Sequence, residues 1–253
     1  MMARLLTVAG WTLVEAVRER LLYIVLLFAA LLVAGSCVLT PLAPGAQRKV
    51  VIDLGLASMN LLGLLVVLLS GAGLVRREIE RRSLDVLLSH PLSRLEYLVG
   101  KWLGLVATLA VLVAAMTAVL AVTLMISGVE FRASLLLAVA GTMLELVVVA
   151  SIAVLCSVFT SPTLAALFTL GLFAAGHWAH GVTRLATDTA TSSVVGILRW
   201  MVPALGLFDF RSDVVHGVAV PPARLVAAAA YAALFTITAL YAASVVFRRR
   251  DLR

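Results

Sequence analysis

The stretch "VRREIERRSLDVLLSHPLSRLEYLVGKWLG", Val75–Gly104, sets ten charged residues between two long apolar runs. Around it the chain is 63% hydrophobic and only 13% charged over 253 residues, with a mean hydropathy of +1.12. Soluble domains carry about 45–50% apolar and about 25% charged residues. The composition therefore predicts an all-α polytopic membrane protein, and no polar stretch is long enough for a sizeable soluble domain. The formal net charge of +7 fits loops lying beside anionic lipid. Aromatic and basic residues do not interleave as they do in single-strand binders, so no nucleic-acid partner is expected. Cys37 and Cys156 fit no metal or redox spacing.

A helix rises about 1.5 Å per residue, so about 20 apolar residues cross the hydrocarbon core. Charge-free runs predict six spans: Leu21 to Thr40, Leu54 to Val75, Trp102 to Gly128, Ser134 to Phe159, Pro162 to His180, and Leu225 to Phe247. The fourth and fifth are divided by the turn signal "TSPT", Thr160–Thr163. Six spans put both termini on one side. With that side cytoplasmic, inner segments hold 13 Lys and Arg and outer segments 7, which obeys the positive-inside rule. The expected organisation is one membrane domain over 1–253. Residues 1–20 form an amphipathic interfacial helix, with Leu5, Leu6, Leu13 and Val17 on one side. Residues 76–100 form a cytoplasmic loop. Residues 181–222 form an outer segment, in which "VVGILRWMVPALGLF", 194–208, reads as a short helix or re-entrant hairpin broken at Pro203.

On a helical projection of the charged loop, Glu78, Arg81, Arg82, Asp85 and Ser89 share one arc. Glu78–Arg82 and Arg81–Asp85 are i,i+4 pairs of opposite sign, worth about 0.2–0.5 kcal/mol each. Pro91 ends this helix, and "SRLE", Ser93–Glu96, is a capping box that opens the next one. A basic loop beside a membrane is ordinarily a topology signal. This one is a capped element mixing acids with bases, as a docking surface does.

The same residues resemble the cytoplasmic loop of ABC transporter type-2 permeases, whose loops commonly run from a Glu-rich start through a Leu-Leu-Leu-Ser and a Pro-Leu-Ser or Pro-Val-Ser to a Gly-Lys entering the third helix. The "SPT" turn, "LFDFRSDVVHG" at Leu207–Gly217 and "FRRRDL" at Phe247–Leu252 are similar to the family in the same order. The branch that this chain most resembles is the small single-domain permeases, including those serving nitrous-oxide-reductase maturation. The resemblance implies a permease subunit that dimerises, with one ABC ATPase subunit on each copy, in a bacterial inner membrane. It makes the loop a coupling helix seated in the ATPase, with Glu78, Arg81, Arg82 and Asp85 as its grip. The chain shows no G-x-x-x-x-G-K-[ST] phosphate loop. ATP and Mg would then be bound by the partner, and the chain itself would be neither an enzyme nor a cofactor carrier.

Glu145 is the only charge between Ala133 and Thr183. A buried acid costs about 2.5 kcal/mol or more on insertion scales, and intramembrane acids mark functional sites by default. Glu145 either lines a translocation path or latches its helix to Asn60 or a threonine; the plainer alternative is a protonated acid hydrogen-bonded in the bundle. His177 and His180, one turn apart, either share a metal or lie at a polar helix end anchored by Trp178. Two other functions compete with ATP-driven export: an ATP-independent channel or carrier, and an assembly subunit that passes ATPase motion to a periplasmic accessory protein.

Overall fold

A computed structural model describes residues 21–39, 47–71, 74, 94–127, 133–185, 202–216, 218 and 220–249. It is helical, with no strand among the described residues. In chain order the helices are α1 (Leu21–Leu39), α2 (Gln47–Val66, closing in a π turn at Val67–Gly71), α3 (Arg94–Ile126), α4 (Ser134–Phe159) and α5 (Pro162–Leu185). After a 3-10 turn at Leu205–Phe208 come α6 (Arg211–His216) and α7 (Pro222–Arg249).

Among the described residues, four stretches are long and apolar enough to cross a membrane: Arg48–Gly71, Leu95–Ile126, Ser134–Phe159 and Pro222–Phe247. Their boundaries depart from the charge-free runs in an instructive way. α2 starts at Gln47 and takes in Arg48, Lys49 and Asp53, so the second span does not begin at Leu54. α3 begins at Arg94, one residue after Ser93, and carries Glu96 and Lys101 into a 33-residue helix. α5 continues past His180 to Leu185. Charge marks the edge of the hydrocarbon; it does not end a helix, because the backbone hydrogen bonds that hold a helix are indifferent to it.

α4 is the centre of the bundle. It is buried along most of its length and packs most extensively on α7, with α3, α5 and α2 around it. The core is aliphatic, with Leu56, Met59, Leu109, Met116, Leu146 and Val149 fully or almost fully enclosed. Large apolar side chains also cover the outside, among them Leu26, Leu61, Val122, Leu167, Leu234 and Ile237. Water would not tolerate such a continuous apolar exterior, whereas hydrocarbon does. Thr108 and Thr142 satisfy their hydroxyls on the preceding turn, on Gly104 O at 2.9 Å and Ala138 O at 3.1 Å.

Residues 202–216 do not lie over the bundle end. They enter it. Leu205, Phe208, Phe210 and Val214 are buried, and the segment packs on α2, α4 and α5. Two glycines make the room. A Cβ on Gly141 of α4 would lie 2.4 Å from Phe210 Cδ2 and 2.6 Å from the Phe208 carbonyl oxygen; one on Gly176 of α5 would lie 2.7 Å from the Pro203 oxygen. Gly141 follows Ser134 by seven residues, about 10 Å down the helix, which sets the depth of entry. Tyr231 of α7 holds the segment from the other side, its hydroxyl accepting from Ala204 N–H at 2.9 Å.

The interfacial helix expected over residues 1–20, and the loop carrying Glu78, Arg81, Arg82 and Asp85, lie outside the described residues.

Candidate functional site

Below the seated segment, three helices bring polar side chains to one point. Glu145 follows Ser134 by 11 residues, about 16 Å along α4, and is only 3% exposed. Asn60 of α2 donates from Nδ2 to Glu145 Oε2 at 3.0 Å. His177 of α5 places Nε2 3.5 Å from Glu145 Oε1. The Phe173 ring stands one turn earlier on α5, its centroid 4.7 Å from that of the imidazole. Asp209, from the seated segment, is near enough to act electrostatically on both Glu145 and His177.

The cluster is not saturated. Asn60 Oδ1, Glu145 Oε1 and His177 Nδ1 are buried and make no hydrogen bond. Buried polar atoms in folded proteins are nearly always paired, and leaving one unpaired costs about 1–3 kcal/mol. The cluster is least covered on the α5 side, where the His177 side chain is 35% exposed against 4% for Glu145.

The segment above is pinned by ions. Arg211 forks onto Asp53 of α2, Nε to Oδ1 at 2.6 Å and Nη2 to Oδ2 at 3.4 Å. Arg224, in the first turn of α7, bonds the Asp213 carboxylate, donates from Nη2 to the Asp209 carbonyl at 3.1 Å and stands 5.0 Å over the Phe210 ring. Because the Arg211–Asp53 pair is nearly half exposed, its worth is about 0.2–1 kcal/mol, and its main effect is to fix register. Asp53→Arg alone is expected to raise the reactivity of a cysteine placed at Val214 towards maleimide. Asp53→Arg with Arg211→Asp should return it to the parental rate, and a double variant as reactive as the single would discount the pair.

Of the residues singled out from sequence, Glu145 and Asn60 meet directly. His177 joins them on its neighbour-facing side, while Trp178 is 75% exposed. Sequence reasoning placed His177 at a helix end; α5 runs eight residues further, which puts it inside the bundle. The parts played by Asp209, Gly141 and Gly176 were not visible. "LFDFRSDVVHG" stood out as a motif, but nothing in its order says that it folds inward.

A family model described as "ABC-2 family transporter protein" matches residues 6–252. No curated protein matches the chain.

Proposed function

The chain belongs to the ABC-2 family of transporter proteins, and from that premise, as a multi-pass membrane permease component, we propose that it couples ATP hydrolysis by a separate ATPase subunit to the export of a substrate. The observation that carries the proposal is the family match over residues 6–252, joined to an apolar-surfaced helical bundle.

In this reading α1 and α5 also cross the membrane, which makes six spans. They have 19 and 24 residues, about 28 and 36 Å of helix, and pack alongside the four longer or more apolar ones. Both termini are cytoplasmic, in keeping with the Lys and Arg distribution. The membrane is a bacterial inner membrane, and the working unit is a permease homodimer with two ATPases that bind ATP and Mg. Glu78, Arg81, Arg82 and Asp85 grip the ATPase. Glu145 and Asn60 line the translocation path. A lever is what ATP-driven motion requires, and the long helix α3 supplies it: it begins at the end of the charged loop and runs without interruption to Ile126.

Co-purification of the chain with its ATPase tests this. Wild type is expected to bring the ATPase down, and Glu78→Lys with Arg82→Glu to lose it by at least about tenfold, the cost of truncating contacts worth 1.4 kcal/mol or more. Full transport by vesicles lacking any nucleotide-hydrolysing subunit would sink the proposal.

A further inference from the structure

The geometry points to a binding site for a cationic hydrogen-bond donor of the protonated-amine class at Glu145, Asn60 and His177. It rests on the reading of Glu145 and Asn60 as lining the translocation path, and it narrows what that path accepts.

The argument is one of donors against acceptors. Asn60 Nδ2 already serves Glu145 Oε2. What remains unmet is Asn60 Oδ1 and Glu145 Oε1, both oxygens, with His177 Nε2 3.5 Å from the second. Oxygen atoms without donors call for a donor. Charge says the same. Arg211 is engaged by Asp53 and Arg224 by Asp213; Arg211 also acts electrostatically on His177, but among the described residues Glu145 forms no ion pair with a Lys or Arg side chain. An acid within the membrane is stabilised by an opposite charge. A protonated amine supplies both the charge and up to three N–H donors. Alkali and alkaline-earth ions prefer six or more oxygens, more than this cluster can give.

The test reads Glu145 itself. The full chain in lipid nanodiscs is treated with dicyclohexylcarbodiimide, which consumes a carboxyl only while it carries a proton, and the unmodified fraction of Glu145 is followed by mass spectrometry. Methylammonium chloride is expected to slow its loss saturably. Tetramethylammonium chloride at equal ionic strength, with charge but no N–H, should not. In Asn60→Leu the methylammonium concentration for half-protection should rise about tenfold, the usual effect of losing one hydrogen bond to a charged group. Equal rates in both salts, or protection by zinc chloride and not by methylammonium, would overturn the assignment. Protection in a wild-type chain that brings down no ATPase would overturn the transporter reading and leave the site; unprotected Glu145 in a wild-type chain that does hold its ATPase would do the reverse.

Discussion

Gly141→Val is expected to expel residues 205–216 from the bundle. The new side chain would begin 2.6 Å from a backbone oxygen and 2.4 Å from the Phe210 ring. A ring can turn; the Phe208 carbonyl belongs to a 3-10 turn hemmed in by α4, α5 and Tyr231 and has nowhere to go. Overpacking of this kind costs about 1–3 kcal/mol, and the upper end applies where backbone is the obstacle. Helix propensity pulls the other way, since glycine is worse than most residues in a helix by less than about 1 kcal/mol, so the clash wins. Gly171, on α5, is the control: nothing lies within 4 Å of its Cβ position, and Gly171→Ala should be neutral or slightly stabilising. The measurement is maleimide reactivity of a cysteine placed at Val214, which is 4% exposed, with Cys37 and Cys156 replaced by alanine. Fast labelling in Gly141→Val and slow labelling in Gly171→Ala is the expected pair. Slow labelling in both would mean that the segment is not held by this contact.

Glu145→Leu should cost about 1–3 kcal/mol in stability, because it leaves the Asn60 amide buried without its acceptor. Glu145→Leu with Asn60→Leu should recover most of that, since removing both partners of a buried pair is nearly neutral. Transport separates structure from function here. If the cluster lines the path, the double variant folds like wild type and yet moves substrate at a small fraction of its rate. Full transport by the double variant would reduce Glu145 and Asn60 to a helix latch. Thermal unfolding and ATP-dependent transport, measured on the same preparations, distinguish the two.

Some of this was legible in residue order. The apolar runs gave the membrane class, because burying apolar surface in hydrocarbon depends on composition over about 20 residues and not on partners. The capping-box pattern at Ser93–Glu96 sits where α3 is described from Arg94 on, because such a signal is read within one turn. Glu145 stood out because a lone acid in a 51-residue uncharged neighbourhood is costly wherever it points. The second span was expected from Leu54 to Val75 and the structure has it from Arg48 to Gly71, because a charge-free run is only part of the helix that contains it.

What residue order could fix, then, was everything local: which stretches are helical, which belong in lipid, and which single charges are out of place. The meeting of Asn60 with Glu145 spans 85 positions, and that of Asp53 with Arg211 spans 158. Neither distance leaves a mark on periodicity. In hydrocarbon, helices gain little from apolar attraction and choose neighbours by close fit. So the inward turn of residues 202–216 was decided by the gaps at Gly141 and Gly176, which exist only once α4 and α5 stand side by side.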